Sequence, residues 1–281
     1  MVPRARARPF TCEIRKAMAS SSRDRHCPVA TPPVSIADLA KTCFSVQLLV
    51  GAILVIGEAT GRLRLPYSKF RTGAGVNSRV GLALAYATPL FVYVALWVEG
   101  GSPRTLYHLA VFGAFLFHFV RRIFEVSLVN SYSRPTPLRA LMIIAFLYGG
   151  VAASCAFFQV RTFRQPTSQP IFILGVLTFA FGEVLNGYHH WLLARLRPLC
   201  VRIYVMPRHG LFGWVACPHY LGEILSFVGY AMMSDLLPVW GNAVVVTAYL
   251  GSRANSTLNW YRREMPLRIP SDWRRLIPFA Y

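Results

Sequence analysis

Residues 171–197 read Ile171-Phe-Ile-Leu-Gly-Val-Leu-Thr-Phe-Ala-Phe-Gly-Glu-Val-Leu-Asn-Gly-Tyr-His-His-Trp-Leu-Leu-Ala-Arg-Leu-Arg197, and this stretch decides what kind of molecule the chain is. It opens apolar enough to enter a bilayer, yet Glu183, Asn186, His189 and His190 follow in the same run. A polar group in hydrocarbon is costly unless something binds it, so each is by default a site candidate. On a helix Glu183, Asn186, His190 and Arg197 return to one face and stack about four turns of polar groups along it. Such a ribbon suits an elongated polar ligand. An interhelical hydrogen-bond seam, with Arg195 and Arg197 snorkelling at one end, is the structural alternative.

Working outward, the composition agrees with a lipid solvent. The 281 residues are 54% hydrophobic and 15% charged, with mean hydropathy +0.42, too apolar for a soluble globule and too rich in apolar runs for disorder. Apolar stretches fall at 36–57, 80–98, 106–130, 140–160, 171–194, 211–233 and 238–258, most of them near the ~20 residues that cross a bilayer as a helix. The expectation is an all-α polytopic membrane protein with seven transmembrane helices over residues 36–281, the last span being the weakest.

The net charge of +19 invites a nucleic-acid reading, but the placement of the charges points to the membrane instead. Basic residues gather in alternate connections (Arg62, Arg64, Lys69, Arg71 and Arg79, then Arg121, Arg122, Arg134 and Arg139, then Arg195, Arg197, Arg202 and Arg208) and in the tail from Arg262. The opposite side holds Arg104, Arg161 and Arg164. By the positive-inside rule the tail and the odd-to-even loops are cytosolic, against the pull of the eight Lys and Arg up to Lys41. Residues 1–35, rich in Arg, Ser and Pro, read as a disordered basic extension, with an organellar leader as the alternative. The six cysteines show no CxxC pair, and no metal site is expected.

Three more constellations carry polar groups. In Cys217-Pro-His-Tyr-Leu-Gly-Glu223 the proline opens a helix and leaves His219 and Glu223 one turn apart on one face. The Pro/Gly-punctuated loop Tyr204-Val-Met-Pro-Arg-His-Gly-Leu-Phe212 leads into it. His118, Arg121, Arg122 and Glu125 share a helix face, where Glu125 can neutralise one arginine and leave the other for an anion, or close an internal ion pair. Arg253, Thr257 and Tyr261 repeat the spacing near the end of the chain. One shared cavity satisfies four such faces more economically than four separate seams.

The strings Pro207-Arg-His-Gly-Leu-Phe212, Pro218-His-Tyr-Leu-Gly-Glu223, Trp260-Tyr261 and Leu276-Ile-Pro-Phe-Ala-Tyr281 together resemble the C-terminal domain of the steroid 5α-reductase family, over about residues 65–281. Phe117-His-Phe-Val-Arg-Arg-Ile-Phe-Glu125, with Tyr132-Ser and Thr136-Pro-Leu138, is most similar to the enoyl-CoA reductase branch and its plant relatives; the family-like reductase region is 117–281. The resemblance implies a seven-helix bundle in the endoplasmic reticulum membrane that holds NADPH in a cavity open to the cytosol. It places the cofactor-binding role on Lys69, Arg122, Asn130, Asn186, His190, Arg197, Tyr204, His219, Glu223, Arg253 and Tyr261. His190 stands where relatives can have Asp, and His219 where they can have Asn.

The implied reaction reduces a carbon–carbon double bond conjugated to a carbonyl in a lipid substrate, an enoyl thioester or a 3-keto-4-ene steroid. A hydrogen-bond donor must then face the carbonyl oxygen as charge develops there. Steroid-reducing relatives use a Tyr and a Glu; here the Tyr position is Phe119 and the Glu position is Ala85 or Ala87. Tyr86 and His118, each within a turn of those positions, are the candidate catalytic residues. Other lipid-synthesis enzymes are the expected partners and nucleic acid is not. Two other functions compete: an isoprenylcysteine-type methyltransferase using S-adenosylmethionine, and a non-catalytic membrane protein that binds NADPH or lipid.

Overall fold

In the computed structural model the described residues are 34–65, 70, 74–103, 105–132, 134–162, 168–196 and 205–281. Among them are seven long helices and no strand: α1 Ile36–Thr60, α2 Ser78–Glu99, α3 Leu106–Phe124, α4 Leu138–Arg161, α5 Gln169–Arg195, α6 Pro218–Ser234 and α7 Leu237–Glu264. They fall on the seven apolar stretches because each long apolar run is helical, the one extended arrangement that satisfies its own backbone in lipid. Four of them, α1, α2, α4 and α5, are long and apolar enough to cross a membrane. The other three are shorter, as α3 and α6, or more polar, as α7. Residues 1–33 lie outside the described residues, so the expectation for the extension stays where the sequence left it.

Local chemistry sets the helix ends. Asn77 Oδ1 accepts from Arg79 N at 3.0 Å and caps α2, and Thr105 Oγ1 accepts from His108 N at 3.3 Å and caps α3. Two ends differ from the apolar runs. The run at 211–233 is broken: Gly210–Gly213 forms a 3₁₀ turn, and α6 begins only at Pro218, whose ring favours the first helical position and keeps Cys217 out of it. The run at 106–130 leaves α-helical geometry at Glu125, where residues Glu125–Val129 make a π turn, a form frequent at functional sites.

Packing pairs distant parts of the chain. α5 lies most extensively on α6, α2 on α4, and α1 on α7. The α5–α6 contact is made by glycines seven residues apart on each helix. A Cβ on Gly175 would meet Gly229 O at 2.9 Å, and one on Gly182 would meet Gly222 O and Ser226 Oγ, both at 2.7 Å. Without side chains there, the two backbones approach closely enough for van der Waals contact, which drives helix association in lipid. The same approach sets Asn186 directly against Gly222. An aromatic core (Tyr93, Trp97, Phe115, Phe119) fills the space between α2, α3, α4 and α6, and a second buried cluster around Trp273 and Tyr261 seats the C-terminal segment.

Candidate functional site

The C-terminal halves of α3 and α5, the start of α6 and the first half of α2 bring one continuous polar network together. Arg121 Nε donates to Glu183 Oε2 at 2.6 Å and Arg121 Nη2 to Asn186 Oδ1 at 2.9 Å, while Arg121 also pairs with Glu125. Arg122 pairs with the same Glu125 and donates to Tyr86 Oη at 2.9 Å, its guanidinium 5.0 Å above the Tyr86 ring. Glu125 therefore holds both arginines, and the expectation that one would be left for an anion is corrected. The reason is helical spacing: Glu125 stands one turn beyond both arginines, four residues after Arg121 and three after Arg122, so both guanidiniums reach its carboxylate.

The histidines occupy the junctions of this network. His118 Nδ1 is 2.6 Å from Glu183 Oε1; a carboxylate only accepts, so Nδ1 carries the proton. Its Nε2 has no hydrogen-bond partner and lies 3.6 Å from Glu223 Oε1. His190 Nδ1 sits between Arg122 and Glu125 Oε2, 2.8 Å from the latter, and the His190 ring lies 5.3 Å from that of His219. Asn186 Nδ2 donates to His219 O at 2.7 Å, tying α5 to the first turn of α6.

The sequence candidates separate into four groups. Tyr86, His118, Arg122, Asn186, His190, His219 and Glu223 meet in the network just described. Asn130 closes the π turn, its N–H donating to Glu125 O at 2.8 Å. Arg253 and Tyr261 have other neighbours: Arg253 Nη1 donates to Glu58 Oε2 at 2.8 Å and Nη2 to Leu65 O at 3.1 Å, and Tyr261 packs 5.3 Å from Trp273. Lys69, Arg197 and Tyr204 lie outside the described residues. Sequence reasoning missed Glu58, which is fully buried with Arg64 Nε 3.4 Å away. Its signal was available, since it is an acidic residue inside an otherwise apolar span. Also missed was Gln47, whose Nε2 donates to Asn242 Oδ1 at 2.9 Å, while Asn242 Nδ2 donates to Ser154 Oγ at 3.0 Å.

Beside the network lies an apolar hollow of about 20 Å³, enough for about one water molecule. His118, Phe115, Phe119, Phe179, Phe227 and Tyr230 are among its walls. Phe119 is itself buried, packed 4.8 Å from Phe115 and 5.4 Å from Tyr148. Among the described residues, His118 is thus the one that belongs both to the ion-pair network and to the apolar wall. Tyr86 joins the network from the far side of Arg122. Among the described residues no group of three or more His, Cys, Asp and Glu is arranged to hold a metal ion.

A multi-pass helical membrane protein with a buried charged site set against an apolar hollow is the class that fold and site define. The family model for 3-oxo-5-alpha-steroid 4-dehydrogenase matches residues 135–281, and the chain belongs to this family of oxidoreductases. It is 29% identical over 201 residues to the very-long-chain enoyl-CoA reductase of Dictyostelium discoideum, covering 69% of this chain and 67% of that protein. It is also 30% identical over 203 residues to 3-oxo-5-alpha-steroid 4-dehydrogenase 2 of Sus scrofa (69% and 77%), and 31% identical over 257 residues to its counterpart in Rattus norvegicus (85% and 98%).

Proposed function

We propose that this chain is an NADPH-dependent ene-reductase of the endoplasmic reticulum membrane, reducing a carbon–carbon double bond conjugated to a carbonyl in a lipid. The observation that carries this reading is His118, which joins a buried ion-pair network to an apolar hollow. Names of relatives supply the reaction class, and their enoyl-CoA and steroid substrates mark the two lipid types to test. Family membership sets aside the methyltransferase alternative. The arginine distribution supports seven spans with the polar site toward the cytosol.

The donor set fits the nicotinamide and ribose end of the cofactor. Arg122 Nε and His118 Nε2 are buried donors or acceptors without a hydrogen-bond partner, and among the described residues Glu223 has no arginine within ion-pair distance. Carboxamide and ribose hydroxyls both donate and accept, which is what such a set can satisfy. The network holds three carboxylates (Glu125, Glu183, Glu223) against two guanidiniums (Arg121, Arg122), so it does not suit phosphate. Phosphates fall instead to Arg253 and Arg64, two cations that share the single Glu58, and the resemblance gives the same cofactor-binding role to Lys69 and Arg197.

Bound NADPH would supply hydride to the β-carbon of the conjugated system. The chain's own residues handle the charge that then gathers on the carbonyl oxygen. His118, held at Nδ1 by Glu183 and with Nε2 3.6 Å from Glu223, is the candidate donor to that oxygen. Tyr86, bonded to Arg122, is the second candidate donor. The net change is one hydride and one proton added across the double bond. The tight aromatic walls exclude water, and the side chains of Phe115, Phe119 and Phe227 must rearrange to admit a lipid.

Thermal unfolding of the purified chain in detergent tests the cofactor. NADPH is expected to raise the transition temperature more than NADH or S-adenosylmethionine, and Asn186→Ala or Glu223→Ala to abolish the rise while the protein stays folded. Equal shifts with all three compounds would remove the cofactor argument.

A further inference from the structure

One buried histidine takes no part in the chemistry above. His189, 1% exposed on α5, has Nδ1 2.8 Å from Leu185 O, and since a carbonyl only accepts, Nδ1 carries the proton. Nε2 is left with its lone pair and accepts from Leu211 N–H at 3.1 Å. The imidazole is thereby fixed in one tautomer, with one nitrogen on its own helix and the other on the Gly210–Gly213 turn. The turn is shaped around that ring. Gly210 has φ +61°, and a Cβ there would stand 3.0 Å from His189 Nε2.

The turn matters because of what lies beneath it. Phe212, fully buried, meets the His189 ring edge-on at 5.3 Å and lies 6.0 Å from the His219 ring. His219 in turn adjoins His190 of the polar network. Phe212 is therefore a roof over the His190–His219 end of the site. Its second anchor comes from the C-terminal segment, where Trp273 Nε1 donates to Phe212 O at 2.7 Å. One anchor belongs to the helix that carries the site and the other does not, so releasing the first swings the turn on the second.

We propose that His189 is a positioning residue whose Nε2 lone pair latches the Gly-Leu-Phe-Gly turn over the polar site, closing that end after the dinucleotide has entered and slowing its departure. The identity of the guest rests on the function proposed above; the latch rests on geometry alone. The groups that would be sealed, Asn186, Arg122 and Glu223, are all buried, so a guest reaches them only if a covering element moves. Among the described residues, the Gly210–Gly213 turn is a covering element held to α5 by the one side-chain hydrogen bond from Leu211 N–H to His189 Nε2.

Substitutions that differ in where they put an acceptor test this. His189→Phe keeps the ring volume and removes both nitrogens, whereas His189→Gln places an amide oxygen near the Nε2 position. Full-length protein in detergent is read two ways, by hydrogen exchange at the Leu211 amide and by the dissociation rate of NADPH. His189→Phe is expected to speed both by about tenfold, the worth of roughly one hydrogen bond, with the KM of the lipid unchanged, and His189→Gln to restore both. Gly210→Ala, which strains the turn and presses a Cβ against the His189 ring while keeping the sequence of α5, is expected to match His189→Phe and covers the case in which that variant does not fold. Slow Leu211 exchange in His189→Phe, or an unchanged NADPH dissociation rate despite fast exchange, overturns the latch. Failure of the unmodified chain to bind NADPH would remove the proposed function, and the exchange measurement would still decide the latch.

Discussion

Gly222→Ala is a one-carbon change whose effect can be worked out from the packing of α5 on α6. The added Cβ would fall on the backbone N of Asn186, 2.8 Å from Asn186 Cα and 2.8 Å from Gly182 O. Ordinary contacts to a Cβ begin nearer 3.4 Å, so the helices must part by roughly half an ångström or more, and backbone atoms cannot rotate aside as a side-chain tip does. Overpacking of this kind costs about 1–3 kcal/mol, equivalent to a fall of roughly 2–10 °C in the unfolding temperature for a chain of this size. Separation also lengthens the 2.7 Å bond from Asn186 Nδ2 to His219 O, so cofactor stabilisation should shrink along with fold stability. The assay is thermal unfolding in detergent with and without NADPH, alongside Gly150→Ala as the control, since a Cβ at Gly150 meets nothing within 4 Å. A Gly222→Ala protein as stable as Gly150→Ala would refute the claim that direct backbone contact sets this helix pair.

Three other outcomes are expected. His118→Gln should lower kcat by roughly 10²–10⁴-fold, more than the loss of one contact to NADPH accounts for, because an amide cannot supply a proton; a kcat within twofold of the unmodified chain would pass the role to Tyr86. Glu58→Gln leaves the buried Arg253 without its carboxylate and should destabilise by about 3–5 kcal/mol, with Glu58→Gln/Arg253→Gln recovering part of the loss; strict additivity in the double variant would show that the pair does not interact. Glu125→Gln should weaken the fold and NADPH binding together, since this one carboxylate serves both Arg121 and Arg122; loss confined to either readout would contradict a shared network.

Much of the site could be read from spacing on single helices. Asn186 and His190 on α5, His118 and Arg122 on α3, and His219 and Glu223 on α6 each share a face by helical period, and each pair does face the common network. What spacing could not assign was the partner of each group. Glu125 serves both Arg121 and Arg122, where spacing alone allowed either, and nothing in the order of residues 117–130 announces the π turn that follows it. Arg253 was grouped with the network by its spacing from Tyr261, yet its carboxylate comes from Glu58, 195 residues earlier.

The sequence alone determined the number and position of the long helices, which are local: an apolar run near the length of a bilayer satisfies its backbone only as a helix. It also determined which helix faces are polar, because the period of 3.6 is a property of each helix by itself. Tertiary structure alone decided that the faces of α2, α3, α5 and α6 meet, that the Glu58–Arg253 pair is held apart by α1 and α7, and that His118 stands between charge and hydrocarbon. Those outcomes depend on which glycines allow two backbones to touch and which side chains fill the remaining space, and such contacts join residues that have no relation along the chain.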